Sequence, residues 1–279
     1  MTKSKLRLIL KIVLGIMVAV AVVSLGAIGT ILYQYNHSIN QYQKLENYVT
    51  VEAPEKTGVT NVEKITVEDD ASPEEPTTVS KITVDFDMDY AALKNINSDL
   101  MGWLYYEPLE LSYPVVMDKG DDYYEHYSFE NEKNVAGAIF TDYLCRADFN
   151  SFNTIIYGHN MRNGSMFGSL NKLLNDNSII EENPYFYVFT EDEALMYEIV
   201  AAYYSQAGSR TYGLSLEYSL DEMQEYVDYI DSVAVYKNEK FFDSDVTEDT
   251  KICTLSTCHG VHSTSRTVIQ GVLVAREPR

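Results

Sequence analysis

The stretch Thr254-Leu255-Ser256-Thr257-Cys258 is predicted to form an apolar strand that ends in a thiol, and Arg266 follows at the start of another strand. A cysteine attacks as its thiolate, and a free thiol with a pKa of about 8.5 is only slightly ionised near neutral pH. A base or a cation must therefore stand beside a cysteine nucleophile. The spacing suggests that Cys258 is such a nucleophile and that Arg266 is its cationic partner.

A candidate base lies earlier in the chain. Residues 153–157, with the sequence NTIIY, are rich in β-branched and aromatic residues, which predicts a strand that the Gly158-His159 turn then ends. Cys258, His159 and Arg266 would thus all lie at strand ends. A rigid sheet can hold nucleophile, base and oxyanion partner there in the geometry that catalysis requires.

Other histidines compete with His159 for the role of base. His37 and His126 are expected on the surface. His259 would point away from the thiol if the strand continues, because side chains alternate between the two faces of a strand. His262, in the loop that follows, is the alternative base. We expect no cofactor and no metal site, because the two loop histidines with Cys258 form too small a ligand set.

The composition of the chain limits its function classes. It has 279 residues, enough for one medium domain with appendages, and a formal net charge of −21. Such an acidic chain would be repelled by phosphates, which excludes nucleic acid as a partner. The 23 tyrosines beside a single tryptophan weakly favour β-structure.

The N-terminal segment predicts the compartment. Residues 12–32 form a run of 21 residues in which only Ser24 and Thr30 are polar, enough for a helix of roughly 30 Å that spans a bilayer. Basic residues precede this run, and the positive-inside rule places them in the cytoplasm. Residues 1–33 are therefore predicted to be a cytoplasmic tail and a single-pass transmembrane anchor in the cell membrane, with the rest of the chain extracellular. The basic residues are Lys3, Lys5, Arg7 and Lys11.

The composition changes after the anchor. Residues 46–75 carry nine acidic residues and two lysines, together with prolines, which predicts a solvated spacer. We therefore assign residues 34–81 to an acidic extracellular stalk and residues 82–279 to a catalytic domain. The helix of the anchor could continue through residues 36–48.

The domain is predicted to be mainly β. Leu220, Met223, Val227, Ile230 and Ala234 draw one apolar stripe at helical spacing, and Ser219 with Glu222 forms a capping box before them. The pattern thus predicts a β-barrel or sandwich with one long helix late in the chain. The predicted strands cover residues 103–106, 112–116, 138–141, 153–157, 185–190, 195–203, 251–257 and 267–275.

Several ordered motifs resemble those of a known family. TLSTC at 254–258 with Arg266, and YGHNM at 157–161, are similar to the active-site strands of sortases, the membrane-anchored cysteine transpeptidases of Gram-positive bacteria. The TLSTC form and the long helix before it resemble class B. Further matching segments are Gly102–Tyr105, Tyr113–Val116, Asp122–Tyr124, Gly137–Asp142 and Gly164–Gly168.

The resemblance implies an eight-stranded sortase β-barrel with N-terminal helices and a long helix between strands six and seven. It implies that Cys258 attacks a threonine carbonyl in the C-terminal sorting signal of a secreted protein, forming a thioester, and that His159 protonates the leaving amine. A peptidoglycan amine then accepts the protein. Arg266 would stabilise the oxyanion, and Ser256 with Thr257 would bind substrate.

Two alternative functions stay open. A pilin-polymerising sortase usually carries an Asp-Pro-aromatic lid before the barrel, and no such motif occurs here. A non-catalytic surface barrel would not need the three catalytic residues. The loop between Cys258 and Arg266 is shorter than in several class B relatives, so substrate preference is not carried over.

Two further cysteines are not assigned to the site. Cys253 lies on the opposite face of the strand from Cys258 and is interpreted as core. A disulfide between Cys253 and Cys145 is a possible alternative outside the cell.

Overall fold

The fold is organised around one sheet that closes on itself. The structure, a computed structural model, describes residues 3–52, 62–66, 78–82, 84–120, 122–258 and 264–279. In these residues the strands are β1 (Val49–Glu52), β2 (Val62–Thr66), β3 (Thr78–Ile82), β4 (Asp85–Met88), β5 (Leu100–Tyr106), β6 (Leu111–Met117), β7 (Ile139–Thr141), β8 (Asn153–His159), β9 (Tyr185–Phe189), β10 (Glu193–Gln206), β11 (Tyr236–Lys237), β12 (Ile252–Cys258) and β13 (Ser265–Pro278). The helices are α1 (Lys3–Leu45), α2 (Tyr90–Ile96), α3 (Tyr123–His126), α4 (Asn171–Asn175), α5 (Ser178–Glu182), α6 (Leu220–Val233) and α7 (Glu239–Phe242).

Eight strands form the closed barrel. Their order is β10-β13-β12-β8-β7-β6-β5-β9, and β9 pairs with β10 to close the ring, while the two-residue β11 adds to β10. The pairs β8/β12 and β6/β7 are parallel, and the remaining pairs are antiparallel. Each barrel strand overlaps one of the strands expected from the sequence. The predicted eight-stranded barrel is thus confirmed.

The long helix α6 lies between the sixth and seventh barrel strands, β10 and β12. Its start follows from sequence, because Ser219 accepts from the backbone N–H of Glu222 while the Glu222 carboxylate accepts from the backbone N–H of Ser219. Met223, Val227 and Ile230 are buried on the face of the helix that packs on the barrel, as the apolar stripe predicts. This part of the prediction is also confirmed.

The two longest strands, β10 and β13, curve around the barrel. Their pairing register shifts between Met196 and Tyr197 and again between Ile199 and Ala201, and such irregularities bend a strand. Gly271 of β13 packs against the buried side chains of Phe186 and Tyr197. A Cβ atom there would meet the Phe186 ring at 2.5 Å, so only glycine lets the strand pass this ring.

The helix α1 continues past the apolar run and reaches the barrel domain. Residues 12–32 are exposed, and the helix is long and apolar enough to cross a membrane. Beyond them, Tyr42 and Leu45 are buried, and β1 pairs with β4. The start of segment 34–81 therefore packs on the domain. Residues 53–61 and 67–77 of the predicted stalk lie outside the described residues, and the spacer role stays a prediction.

Candidate active site

Two parallel strands bring the predicted nucleophile and base together. In the β8/β12 pair, Cys258 is the register partner of His159, at the last residue of each strand. For Cys258 the structure describes the main chain. Because the two positions lie directly beside each other on neighbouring strands about 4.8 Å apart, groups on them can exchange a proton.

Arg266 lies on the other side of the same strand. The β12/β13 ladder pairs Ser256 with Val268, and continuing that register by two residues aligns Cys258 with Arg266. Arg266 Nη1 donates to the Thr257 carbonyl over 3.1 Å. Its guanidinium also lies 5.6 Å from the ring centroid of Tyr212, within cation–π range. The predicted cation therefore flanks the Cys258 position opposite the predicted base.

A main-chain carbonyl orients the imidazole of His159. The Nε2 atom of His159 lies 2.7 Å from the carbonyl oxygen of Glu125. Because a carbonyl can only accept, Nε2 is the nitrogen that carries the proton in this contact. The Nδ1 atom of a neutral His159 is then the one with a lone pair for proton transfer.

The two predicted substrate-binding residues are buried. Ser256 has no exposed surface, and its hydroxyl lies 2.8 Å from the hydroxyl of Tyr212. Thr257 is 2% exposed, and its Oγ1 accepts from the backbone N–H of Thr267 over 2.9 Å. Both hydroxyls are thus hydrogen-bonded within the protein. Both residues also contact the surroundings of Arg266: Ser256 bonds to Tyr212, whose ring lies beside the guanidinium, and the Thr257 carbonyl accepts from Arg266.

A cleft of about 270 Å³ opens next to these strand ends. Tyr157 and Tyr212 stack with ring centroids 6.3 Å apart and form one wall together with Arg266. The cleft is thus aromatic and predominantly acidic, with Arg266 as its cationic side chain. Its remaining lining residues are Asp118, Gly120, Asp122, Glu125, Phe140, Asp142, Tyr143, Ala207 and Gly208.

Burial alters the acidity of two cleft residues. It raises the pKa of the Asp118 carboxyl, although backbone N–H groups of Tyr124 and Gly120 oppose the shift. Burial also raises the pKa of the Tyr157 phenol well above its ordinary value, so this phenol is protonated at neutral pH. Among the side chains that the structure describes, no group of three or more His, Cys, Asp or Glu is arranged to hold a metal ion.

The other two cysteines are buried free thiols. Cys253 is fully buried in the barrel core, which confirms its interpretation as core packing. The structure does not join Cys145 to Cys253, so the alternative of a disulfide between them is wrong. Burial raises the pKa of Cys145 to about 11 and raises that of Cys253 well above its ordinary value, so both thiols are protonated at neutral pH.

The remaining histidines are distributed as follows. His126 is exposed, and His37 is partly exposed and lies 3.4 Å from the Glu132 carboxylate. These positions confirm the surface assignment of both residues. His259 and His262, the latter our alternative base, lie outside the described residues.

Sequence reasoning missed two parts of the site. Tyr212 adjoins both Ser256 and Arg266, but it lies in a three-residue 3-10 helix between β10 and α6 that no local sequence pattern indicates. The contact from Glu125 uses its main-chain carbonyl, which every residue type possesses. No sequence signal could have identified that contact.

Comparison with known proteins identifies the family. The sortase domain family model matches residues 105–274. Sortase B of Listeria monocytogenes is 36% identical over 189 residues, covering 66% of this chain and 73% of that protein. Sortase B of Staphylococcus aureus is 28% identical and covers 66% of this chain and 74% of its own length.

Solved structures agree with these relatives. Sortase B from Bacillus anthracis in complex with AAEK1 superposes with a TM-score of 0.64 at 28% identity, covering 87% of this chain and 99% of that one. The Staphylococcus aureus sortase B–substrate complex gives a TM-score of 0.60 at 27% identity, covering 66% and 84%. The matched region contains His159, Cys258 and Arg266 together with all of β8 and β12 and most of β13. The chain therefore belongs to the sortase family of enzymes and, within that family, to the class B sortases.

Proposed function

We propose that this class B sortase cleaves a C-terminal sorting signal at a threonine carbonyl through a thioester on Cys258 and transfers the protein to a peptidoglycan amine. The observation that carries the proposal is the alignment of His159, Cys258 and Arg266 on three adjacent strands, β8, β12 and β13. A nucleophile flanked by a base and by a cation is the arrangement that acyl transfer requires.

The proposed reaction has two halves. The Cys258 thiolate adds to the threonine carbonyl, the C–N bond of the scissile peptide breaks, and His159 gives a proton to the departing amine. The thioester then reacts with the acceptor amine, whose proton returns to His159 as the thiolate leaves. The hydrogen bond from Nε2 to Glu125 supports Nδ1 as the proton-transferring nitrogen.

Arg266 is proposed to stabilise the oxyanion of each tetrahedral intermediate. A guanidinium has five N–H donors, and the Nη1 contact to Thr257 orients the group while other donors remain for substrate. We propose that Ser256 and Thr257 belong to the substrate site through the two groups that they hold. Ser256 contacts Tyr212 of the cleft wall, and the carbonyl of Thr257 holds Arg266.

The proposal includes a membrane location. Residues 12–32 would span the membrane once, with the four basic residues of segment 3–11 in the cytoplasm and the barrel outside the cell. The substrates would then be secreted proteins with sorting signals. We retain residues 34–81 as a proposed extracellular stalk and residues 82–279 as the proposed catalytic domain, with the start of the stalk packed on that domain.

The full chain in detergent tests the mechanism directly. Wild type, Cys258→Ala and Arg266→Ala are incubated with a library of sorting-signal peptides, and cleavage products and protein adducts are followed by mass spectrometry. We expect a thioester adduct on Cys258 and a loss of turnover of at least about 10³-fold in Cys258→Ala. Arg266→Ala should lower kcat by about 10² to 10³-fold, as expected for an oxyanion donor.

Cys145→Ala is the matched control, because it also removes a thiol, but one that is buried and does not line the cleft. It should keep wild-type turnover. Undiminished cleavage by Cys258→Ala would overturn the mechanism. A folded wild-type protein that neither cleaves nor forms an adduct with any peptide would instead support the non-catalytic barrel.

A further inference from the structure

The carbonyl that orients His159 lies outside the barrel. It belongs to Glu125 in the four-residue helix α3, where the last carbonyls have no helical N–H partner. The His159 Nε2 proton fills this vacancy over 2.7 Å. The direction of the imidazole therefore depends on whatever holds α3 in place.

Gly137 packs directly on this carbonyl. Its φ of +57° lies in the left-handed region, and a Cβ atom there would lie 2.5 Å from the carbonyl oxygen of Tyr124 and 2.8 Å from that of Glu125. The next residue, Ala138, donates its N–H to the Tyr124 carbonyl over 2.8 Å. The main chain at Gly137 and Ala138 thus supports the end of α3 with no side chain between them.

The helix α1 in turn holds Gly137. The Tyr42 hydroxyl donates to the Gly137 carbonyl over 2.6 Å, and the Tyr42 side chain is buried. Asn134 Nδ2 donates to Gln41 Oε1 over 2.5 Å, and Ser38 Oγ donates to Asn134 Oδ1. These contacts attach one face of α1 to the segment that ends at Gly137.

We propose that Tyr42 is a positioning residue for His159. The path runs from the Tyr42 hydroxyl to the main chain of Gly137, from there to the Glu125 carbonyl, and from this carbonyl to the imidazole Nε2. The role of His159 as base rests on the function proposed above. The part of α1 that follows the apolar residues 12–32 would then have two roles. It links these residues to the catalytic domain, and it helps to hold the active site in place.

Replacing Tyr42 by phenylalanine tests this path in the full chain in detergent. The side-chain nitrogens of ¹⁵N-labelled histidine report the tautomer by NMR, and a His159→Gln sample assigns the signals of His159. We expect wild type to hold His159 with its proton on Nε2 and Tyr42→Phe to give a mixture of tautomers. We also expect kcat to fall about 10-fold with KM unchanged, because misplacing a catalytic group by 1 Å can cost about 10²-fold.

The matched control is Tyr48→Phe. Tyr48 lies just beyond α1 and is half-buried, and its hydroxyl makes no hydrogen bond within the described residues. It should behave as wild type in both measurements. Ser38→Ala, which removes a more distant contact of the same face, should shift both measurements in the direction of Tyr42→Phe but less.

The two readouts separate this inference from the proposed function. A wild-type tautomer together with wild-type kcat in Tyr42→Phe overturns the positioning role even if Cys258→Ala is inactive. If no peptide is cleaved by wild type, the proposed function fails, and the tautomer of His159 alone still decides whether Tyr42 positions the ring.

Discussion

The two faces of β12 are equally buried but differ in chemistry. Cys253 and Leu255 point into the apolar barrel interior, and Thr254 and Ser256 point toward α6 and the segment before it. All four residues are at most 1% exposed. One strand therefore separates the apolar core from a second layer, in which buried polar groups, here called the polar layer, lie beside the apolar side chains that α6 covers.

The polar layer is centred on Gln270, which has no exposed surface. Its Nε2 donates to the hydroxyl of Tyr226 and to that of Thr254, each over 2.9 Å, and its Oε1 accepts from Tyr203 over 3.1 Å. Tyr226 also donates to the Thr211 carbonyl, directly before Tyr212 of the cleft wall. Apolar packing stabilises the interior but is not directional. Hydrogen bonds are directional, so those in the polar layer fix the position of groups beside the active site.

The largest effect in this comparison is expected in the interior. Leu255→Ala should lower the free energy of unfolding by about 2–5 kcal/mol, because it leaves a cavity between closely packed strands. Urea unfolding followed by circular dichroism measures the change. Leu216→Ala, at a leucine that is 76% exposed, is the control and should change little. A loss below that of the control would mean that the interior is not tightly packed.

A smaller effect is expected in the polar layer. Gln270→Leu keeps a similar volume but removes three hydrogen bonds, so buried hydroxyls lose a partner and the free energy of unfolding should fall by about 1–3 kcal/mol. The same urea titration measures it. Gln224→Leu, at an exposed contact with Asp228, is the matched control. Equal stability of Gln270→Leu and wild type would show that apolar packing can replace this network.

The smallest effect is expected for a polar contact outside both layers. Arg146 binds Asp148 through two hydrogen bonds on the surface, and this contact lowers the pKa of Asp148 from 3.8 to about 2. A lowered carboxyl pKa stabilises the fold above pH 3.8, and the contribution is lost as the pH falls through about 2.

We therefore expect Arg146→Gln to lower the melting temperature slightly at neutral pH, and we expect the difference from wild type to shrink as the pH falls from about 4 and to vanish below about pH 2. Added salt should also reduce the difference, because exposed charges are screened. Differential scanning calorimetry measures both trends. A difference that grows as the pH falls would contradict the assignment to this pair.

Local patterns predicted much of this fold. Strands such as 153–157 alternate or concentrate β-branched residues, and the capping box at Ser219 marks the start of α6, so both can be recognised within a short window. The predicted apolar stripe differs from the buried face of α6, however. Leu220 belongs to it but is 46% exposed, while Tyr226 lies off it and is buried, since its hydroxyl reaches Gln270.

Contacts between distant parts of the chain could be predicted less well. The residues of the proposed site were predicted from several ordered motifs that together resemble those of sortases, because a single cysteine on a strand is more often a core residue. The alignment of Cys258 with His159 results from the pairing of two strands that are far apart in sequence. The strand propensity of each segment does not determine which residues become register partners. The packing of Tyr42 against Gly137 was missed for the same reason.

Closure of the barrel limits how a peptide can be recognised. Within the described residues every barrel strand is paired with a neighbour on both sides over at least part of its length, which leaves few main-chain groups to which an extended peptide could be added as a further strand. Closure therefore restricts backbone recognition by strand addition. Sequence preference must come from the few side chains and loops around the cleft, and it can change between relatives while the barrel stays the same.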